Sequence, residues 1–368
     1  MSTPTGQATK RARIALVGVG VIGRHHARVI SELGDRVELV AVVDVVSERA
    51  ETLAAERGGK AFTSLSDALA AADIDIVVAC TPTGRHGEVA IEALEAGKHV
   101  IIEKPAETTV AKTDQIIEAQ RKAGTLVAVI SQHRFDQSTE IALGAIARGE
   151  LGRLTTGIAS IDWWRGQSYY DSGDWRGTWE LDGGGALMNQ GVHTVDLLMA
   201  TMGRPVEVFA YTGTLAHERI EVEDAAVAVV RFENGALGVL HATTAAYPGL
   251  SARLQVHGDQ GSVVIDDDLL TFIHATPKDS AAEEKLMGSK KDSLNQVDAY
   301  RGTEQSRPTA GSDPGGLSTV PHRRQYENFL AALAGEEPLR VDLETNRDSI
   351  AVITGAYESA RTGKPVAL

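Results

Sequence analysis

The sequence predicts two domains of different classes, a doubly wound α/β domain followed by an α+β domain with a mainly antiparallel sheet. The 368 residues are long enough for two domains of about 150 residues each. The first 130 residues alternate runs rich in valine and isoleucine with segments of helical spacing. After about residue 150, strand signals and turn signals dominate instead.

Five apolar runs in the first part of the chain lack the polar alternation of a half-exposed strand. Strands that are buried on both faces are typical of a parallel sheet covered by helices. The runs are Ile14–Val17, Leu39–Val43, Ile76–Cys80, Val100–Ile102 and Leu126–Ile130. Between two of them, Gly87–Gly97 carries one apolar helical face and ends in a glycine that can stop the helix. A doubly wound sheet is the expected result.

The second part of the chain predicts mostly antiparallel sheet with few helices. The strand-like runs are Leu154–Ile161, Val206–Thr212, Ala225–Phe232, Ala236–Ala242 and Ser262–Ile265. Asn234-Gly235 is a hairpin turn signal between two of these runs. Helices are expected near Ala186–Met202, at His322–Leu333 and at Asn346–Arg361.

These signals predict the order of the domains. We expect a flexible leader over 1–12, a dinucleotide-binding domain over 13–135 and a substrate and oligomerisation domain over 136–340. Within the latter, 278–319 is poor in large apolar residues and predicts a flexible excursion. The closing helix and tail over 341–368 are expected to pack back on the domains.

A glycine-rich turn follows the first strand and predicts a dinucleotide site. Gly18, Gly20 and Gly23, with Val21 and Ile22 between the last two, lead from a strand into a helix. Gly18 makes the tight turn, Gly20 lets the backbone approach a pyrophosphate, and Gly23 lets the helix pack closely on the strand. The helix N-terminus favours the phosphate charge.

The acid that such a site needs is Asp44, at the end of the second strand and 21 residues after Gly23. Its carboxylate can accept hydrogen bonds from the ribose hydroxyls and would repel a 2′-phosphate. Val45 and Val46 offer no arginine for such a phosphate. The sequence therefore favours NAD over NADP as the cofactor.

Composition excludes several other classes of function. Lys and Arg total 36 against 50 Asp and Glu, a net charge of −14, and no basic cluster favours nucleic acid or an anionic membrane. The single cysteine, Cys80, excludes an intrachain disulfide and a cysteine-based zinc site, and we expect no metal. No apolar run approaches about 18 residues, the length of a transmembrane helix. A soluble, cytoplasmic protein is expected.

Two segments carry groups suited to catalysis. Lys104 follows the strand Val100–Ile102, and ligands in doubly wound folds bind beyond such strand ends. From position alone, a solvated lysine fits equally well. Asn189, His193 and Asp196 follow three glycines at spacings of four and three, so one helix face could line a cleft. His193 taken alone would fit a core histidine.

In this order, these residues resemble the glucose–fructose oxidoreductase / inositol dehydrogenase (Gfo/Idh/MocA) family of NAD(P)-dependent oxidoreductases. The matching pieces are Gly18–Gly23, Thr81-Pro82-Thr83 with His86, Glu103-Lys104-Pro105, Gln132-His133-Arg134-Phe135, the Asn189–Asp196 helix and Gly363-Lys364-Pro365-Val366. The resemblance implies a Rossmann domain, a second domain with a large open sheet, and oxidation or reduction of a secondary alcohol of a sugar or cyclitol. It also implies a homo-oligomer, a dimer or tetramer formed through the open sheet.

The resemblance further implies cofactor contacts beyond the glycine turn, from Thr81, Pro82, Thr83, His86, Glu103 and Gln132. Many family members carry Asp where this chain has Asn189, which can only orient substrate hydroxyls by hydrogen bonds. We expect His193 to act as the base, because its ordinary pKa suits proton transfer near neutral pH. Lys104 would then anchor the alcohol electrostatically, although a buried Lys104 could itself be the base.

An aromatic segment predicts the substrate side of the site. Residues 163–179 hold all four tryptophans and two of the seven tyrosines. Rings with interleaved arginines suit a polyhydroxylated substrate, although an aromatic plug under a loop would look the same. The candidate substrate contacts are Arg165, Tyr170, Trp175 and Arg176, with Asn189 and Arg134 from other segments.

Three functions follow from these predictions. The leading one is an NAD-dependent sugar or cyclitol dehydrogenase. A nucleotide-sugar 3-dehydrogenase would use Arg165 and Arg176 for a diphosphate. A dinucleotide-sensing regulator without turnover is the alternative of another class, and the presence of Lys104 and His193 speaks against it.

Overall fold

The structure is a computed structural model, and it describes residues 11–275, 294–301 and 318–368. Its first part is a six-stranded parallel sheet with strand order β3-β2-β1-β4-β5-β6. The strands are β1 (Ala12–Val17), β2 (Val37–Val43), β3 (Lys60–Phe62), β4 (Ile76–Ala79), β5 (His99–Ile102) and β6 (Val127–Val129). Every strand predicted there is present, and the short edge strand β3 is an addition.

Helices cover both faces of this sheet, which is why its central strands carry no polar alternation. They are α1 (Val21–Glu32), α2 (Ser47–Arg57), α3 (Leu65–Ala71), α4 (His86–Glu95) and α5 (Val110–Ala123). All four residues of β4 are buried, with Ile76 and Val78 in the core on one face and Val77 and Ala79 in the core on the other.

The second part is an eight-stranded sheet with order β13-β12-β11-β7-β10-β9-β8-β14. Only β7 and β10 pair in parallel, so the sheet is mainly antiparallel as predicted. Its strands are β7 (Leu154–Asp162), β8 (Pro205–Gly213), β9 (Ala225–Phe232), β10 (Leu237–Thr243), β11 (Ala252–Gly258), β12 (Gly261–Asp266), β13 (Leu269–Ala275) and β14 (Val366–Ala367). Strands β11, β13 and β14 were not predicted from the sequence.

Among the described residues, helices cover one face of the second sheet and leave the other face open. The chain adds α6 (Gln137–Ala147), α7 (Gln167–Tyr170), a π-helix (Ala186–Gln190), α8 (Val192–Met202) and α9 (Val297–Arg301). Gly157 on β7 lets α8 pack closely, because a Cβ there would lie 2.6 Å from Leu198 Cδ1. On the open face, Tyr211, Val227, Val229, Leu237 and Val239 are exposed.

Two C-terminal helices tie the parts together. The first, α10 (Val320–Leu333), matches a predicted helix but not its predicted place, because Tyr326 and Phe329 lie in the core of the six-stranded sheet with Ile14 and Leu16. Helical spacing identifies an apolar face without specifying which sheet it covers. The closing helix α11 (Leu343–Thr362) packs on β8 and also contacts α5.

Two further predictions concern segments that are described only in part. Residues 1–10 of the leader lie outside the described residues, and β1 already begins at Ala12. Most of the excursion over 278–319 also lies outside them, and its described piece contains α9. Among the helices of the described ranges, none combines the length and the apolar character needed to cross a bilayer.

Candidate active site

The glycine-rich turn joins β1 to α1, and two of its glycines are required by packing. Gly18 has φ +96°, and a Cβ there would lie 2.5 Å from the carbonyl oxygen of Cys80. A Cβ on Gly23 would lie 1.9 Å from the carbonyl oxygen of Gly18. Gly20 differs, because its Cβ would meet nothing within 4 Å. The turn therefore leaves a bare backbone facing an open crevice at Gly20.

Asp44 fixes this turn from the end of β2. Its Oδ2 accepts a hydrogen bond from the backbone N–H of Val19 at 2.8 Å, and its Oδ1 accepts one from that of Val46 at 2.9 Å. The side chain is buried but lines the crevice. Each oxygen has a further lone pair, so the carboxylate can still accept from ribose hydroxyls.

The crevice has a volume of about 1420 Å³ and lies between the carboxyl ends of the parallel strands and the second sheet. Residues of both parts line it. Among the predicted site residues, those that line it are Gly18, Gly20, Val21, Ile22, Asp44, Thr81, Pro82, Thr83, His86, Glu103, Lys104, Gln132, Arg165, Trp175, Arg176, Asn189 and His193. The predicted cofactor and catalytic residues are thus brought together, apart from Gly23, which packs behind the turn.

Two buried polar atoms in this crevice lack a partner. Within the described ranges, neither Thr81 Oγ1 nor Gln132 Oε1 has a hydrogen-bond partner. Both residues line the crevice beyond the glycine turn. Because buried polar atoms are usually satisfied, these two are suited to a polar ligand. Together with the bare backbone at Gly20 and the carboxylate of Asp44, they fit a dinucleotide along the crevice.

His86 and Glu103 support the crevice wall and are themselves fully engaged. The His86 ring contacts the carbonyl oxygens of Thr81 and Pro105, at 2.9 and 2.8 Å. Glu103 Oε1 accepts from His26 Nε2 at 2.7 Å, and Oε2 accepts from the backbone N–H of Lys104. Burial by itself would raise the pKa of Glu103, but His26 holds it below its usual range. Glu103 therefore brings a buried negative charge next to Lys104.

Lys104 extends from the end of β5 to the segment before α8. Its Nζ donates to the backbone carbonyl of Asn189 at 2.9 Å. Burial lowers the pKa of Lys104, while the charges of Glu103 and Asp182 oppose that shift. Asn189 in turn donates from Nδ2 to Asp182 Oδ1. Lys104, Asn189 and Asp182 therefore form one connected group.

Asp182 places a carboxyl group behind Asn189. It is buried, and its Oδ2 accepts from the backbone N–H of Gly177 at 2.8 Å. Burial raises the pKa of Asp182 to about 6, with hydrogen bonds and nearby cations opposing the shift. In the sequence, Asp182 lies just before the three glycines, but it is not part of any motif that predicts a site residue.

His193 begins the first turn of α8 and faces the same crevice. Burial lowers the pKa of His193 well below its usual value, and the positive charges of Lys104 and His133 lower it further. The imidazole is therefore neutral at neutral pH. Its ring centroid lies 5.0 Å from that of His133, with the rings nearly perpendicular.

The aromatic segment forms an alternating stack along the crevice. The Arg165 guanidinium lies 5.0 Å from the Trp163 ring and 5.6 Å from the Tyr169 ring. That of Arg176 lies 4.3 Å from Tyr169 and 4.5 Å from Trp175. We call these five residues the cationic stack. All five line the crevice.

Gln190 holds the cationic stack in place. Its Oε1 accepts from Nε and Nη2 of Arg165, at 3.1 and 2.9 Å, and its Nε2 donates to the Tyr169 hydroxyl at 2.9 Å. Arg176 Nη1 also donates to that hydroxyl, at 2.6 Å. The sequence analysis missed both Gln190 and Tyr169, although each adjoins a residue that it named.

The expected contact from Tyr170 is wrong, because the ring points away from the crevice. It is buried, and its hydroxyl is within 2.8 Å of Thr244 Oγ1. Adjacent residues on α7 point in directions about 100° apart, so Tyr169 faces the crevice and Tyr170 does not. Trp164 and Trp179 also pack outside the crevice, against His217 and Tyr357. The segment thus lines the crevice with some of its rings and packs others outside it.

The expected substrate contact from Arg134 is also wrong. Its guanidinium forms a bidentate pair with Asp196, with distances of 2.7 and 2.6 Å, and both side chains are buried. Neither residue lines the crevice. Asn189 and His193 line the crevice, whereas Asp196, three residues beyond His193 on α8, pairs with Arg134 behind it. The pair joins the end of β6 to α8.

Comparison with known proteins agrees with this arrangement. Residues 12–131 match the family described as "Oxidoreductase family, NAD-binding Rossmann fold", and residues 142–264 match the "GFO/IDH/MocA C-terminal domain". Myo-inositol 2-dehydrogenase of Thermotoga maritima is 30% identical over 268 residues, which are 69% of this chain and 75% of that protein.

Two solved structures are similar over nearly the whole chain. The WlbA dehydrogenase of Bordetella pertussis, in complex with NADH and UDP-GlcNAcA, is 33% identical with a TM-score of 0.83, covering 99% of each chain. The WlbA dehydrogenase of Chromobacterium violaceum, with the same two ligands, is 32% identical with a TM-score of 0.83, covering 100% of this chain and 99% of that one. The glycine turn, the crevice and these matches agree, and the chain belongs to the Gfo/Idh/MocA family of NAD-dependent oxidoreductases.

Proposed function

We propose that this protein oxidises a secondary alcohol of a sugar, sugar derivative or cyclitol, or reduces the corresponding ketone, with NAD as cofactor. The observation that carries the proposal is the convergence of Lys104 and His193 in the crevice of the glycine turn. The T. maritima relative, named for an inositol, supports a polyhydroxylated ring as substrate.

NAD, when bound, would supply the acceptor for the hydride of the alcohol carbon, and the residues of the chain handle the hydroxyl proton. His193, neutral because burial lowers its pKa, accepts that proton. Lys104, held by the Asn189 carbonyl and next to Glu103, stabilises the negative charge that develops on the substrate oxygen. Asn189, whose amide is oriented by Asp182, hydrogen-bonds a neighbouring hydroxyl.

The cofactor residues divide into two groups in this proposal. Gly18, Gly20, Val21 and Ile22 would hold the pyrophosphate, and Asp44 would bind the ribose hydroxyls. Thr81, Pro82, Thr83 and Gln132 contact the cofactor farther along the crevice, and His86 and Glu103 support that wall.

The proposal is tested by the appearance of NADH absorbance with a panel of polyols, inositols and sugars. We expect turnover by the wild type, and a loss of at least a hundredfold in kcat for Lys104→Met and for His193→Ala. Lys122→Met, on the exposed surface of α5, is the matched control and should keep wild-type rates. Tight NADH binding with no turnover of any alcohol would support the regulator instead.

The pH–rate profiles decide which residue is the base. If His193 accepts the proton, the limb on which activity rises with pH disappears in His193→Ala. If that limb survives in His193→Ala and is lost in Lys104→Met, Lys104 is the base.

A nucleotide-sugar substrate is the second candidate, and the cationic stack favours it. Within the described part of the chain, Arg176 has no carboxylate at ion-pair distance, although it faces the crevice. A guanidinium so placed suits a diphosphate or a sugar carboxylate. The two WlbA structures, solved with UDP-GlcNAcA, support the same class. Adding UDP-sugars to the substrate panel separates the two candidates.

We also propose a homo-oligomer formed through the open face of the second sheet. Val227 and Val229 on β9 are 51% and 53% exposed, and Tyr211, Leu237 and Val239 extend this apolar surface onto the neighbouring strands. Contiguous apolar surfaces of this kind commonly mark subunit interfaces. Light scattering should give a dimer or tetramer, and Val229→Asp should lower the mass. A cytoplasmic location and the lack of nucleic-acid or membrane partners stay predictions from the sequence.

A further inference from the structure

A second histidine, His133, lies in the crevice on the turn after β6, between two carboxylates. Its Nδ1 is 2.7 Å from Asp136 Oδ2 and 3.1 Å from Asp268 Oδ1. Carboxylates only accept hydrogen bonds, so Nδ1 carries a proton. The two negative charges also favour a proton on Nε2, which makes the ring an imidazolium.

The geometry favours a charged His133 over a neutral one. Burial by itself would lower its pKa, but Asp268 and Asp136 together raise the pKa of His133 well above the usual value. Burial raises the pKa of Asp136, whereas at Asp268 the charge of His133 and its hydrogen bond together outweigh burial and lower the pKa. The three side chains therefore form a compact group with a stable positive ring.

This charged ring contacts the proposed base. The centroids of the His133 and His193 rings are 5.0 Å apart and the ring planes meet at 81°. A positive charge at this distance opposes protonation of His193. Among the described residues, the other titratable or charged groups around the two rings are Lys104 and Glu103 after β5, and His322 and Arg324 on α10.

Among the described charged groups near His193, His133 is the one whose ring packs against the His193 ring. Lys104 has its own role at the substrate oxygen, and Glu103 is taken up by His26. Arg324 donates to the carbonyl of Phe135 at 3.1 Å, which supports the turn that carries His133.

We propose that His133 is a positioning residue for proton transfer: its ring, kept charged by Asp136 and Asp268, holds His193 in the neutral form that can accept the substrate proton. The inference rests on the proposed function, because it gives His193 the role of base. Without His133, the fraction of His193 that carries a proton before substrate binds would be about tenfold larger at pH values above its midpoint, and that fraction could not act.

The test measures proton affinities directly, in the protein free of cofactor and substrate. Histidine-labelled protein is titrated by NMR, and the His133 and His193 ring signals are assigned with His133→Gln and His193→Gln. In His133→Gln we expect the titration midpoint of His193 to rise by about one pH unit, a tenfold gain in proton affinity. In His133→Arg, which keeps a charge that both carboxylates can bind, the midpoint should stay low.

Two neighbouring aspartates provide a matched pair for the second arm. Asp267 and Asp268 both have positive φ, 45° and 63°, a conformation that asparagine tolerates well. Asp268→Asn should lower the midpoint of His133, whereas Asp267→Asn, which does not touch His133, should leave it unchanged. The backbone carbonyl of Asp268 keeps its hydrogen bond from Ser138 in both variants.

The pH dependence of kcat/KM should shift in the same direction as the titration midpoint of His193. In His133→Gln, the pH at which kcat/KM falls on acidification should rise with the midpoint of His193, and in His133→Arg it should not. An unchanged His193 midpoint in His133→Gln, or equal effects of Asp267→Asn and Asp268→Asn on His133, would overturn the inference. Failure of the proposed function is a separate result, namely that the wild type oxidises no alcohol at any pH while the NMR midpoints behave as expected.

Discussion

Gly20 offers a substitution that should remove cofactor binding without affecting the fold. Its backbone is extended, with φ −75° and ψ −168°, a conformation that valine adopts readily. A Cβ at this position meets no protein atom within 4 Å. Replacing glycine restricts the unfolded chain, but Gly20 is the N-cap of α1, where glycine is preferred over valine. Because these two effects oppose each other, the free energy of unfolding of Gly20→Val should stay within about 1 kcal/mol of the wild-type value.

The magnitude of the binding loss follows from what the side chain displaces. A phosphate oxygen that accepts a hydrogen bond from the backbone at Gly20 would lie about 2.9 Å from the backbone nitrogen. The methyl groups of a valine side chain would occupy the same space. Losing one hydrogen bond to a charged group costs about 1.5–3 kcal/mol. The Kd for NADH should therefore rise between about tenfold and 150-fold.

Gly23→Ala is the control, because it changes the same turn at a glycine that packs against the protein and does not face the crevice. A Cβ there would be 1.9 Å from the carbonyl oxygen of Gly18, so α1 must move by about 1 Å. Overpacking of this kind costs about 1–3 kcal/mol, and the midpoint of thermal unfolding should fall. NADH fluorescence titration and thermal unfolding measure the two variants. Wild-type NADH affinity in Gly20→Val, or a loss of stability as large as that of Gly23→Ala, would refute the placement of the cofactor at this turn.

Three further predictions test other parts of the structure. Asp196→Asn leaves the buried Arg134 without its charged partner, so the free energy of unfolding from chemical denaturation should fall by about 3–5 kcal/mol. The KM for the alcohol should stay within about twofold of the wild-type value. A large change in KM with unchanged stability would mean that Arg134 contacts the substrate after all. Burial raises the pKa of Glu223 to about 7. Between about pH 4.5 and 7, the folded protein therefore keeps a proton on Glu223 that the unfolded chain has released. The contribution of Glu223 to stability falls as the pH rises through this range. The difference in unfolding free energy between wild type and Glu223→Gln should change across that range, by at most about 1.4 kcal/mol per pH unit, and be constant above it; a difference that does not vary with pH would contradict the assignment. Arg176→Met should raise the KM for UDP-sugars by at least about tenfold and that for neutral cyclitols far less, and equal effects on both would argue against an anion-binding role for the cationic stack.

The local signals of the sequence were sufficient for the first sheet and its turn. Strand runs, helix spacing and the glycines depend on neighbouring residues, so Gly18, Gly20 and Gly23 could be assigned separate roles before any contact was known. The signals failed where the partner of an element is distant in the chain. The helix α10 has an apolar face that the spacing identifies, but only the folded chain places Tyr326 against Ile14 and Leu16.

The same distinction divides the candidate site. Residue type and order sufficed to select Lys104, Asn189 and His193, because each lies beside a strand end or a glycine turn. The pairing of Arg134 with Asp196, the carboxyl of Asp182 behind Asn189, and the contact of His133 with His193 were decided only by the tertiary structure. The physical reason is that charge and burial act through space. The proton affinity of a side chain depends on groups that are close in space but tens of residues away in the sequence, and sequence spacing does not predict which groups these are.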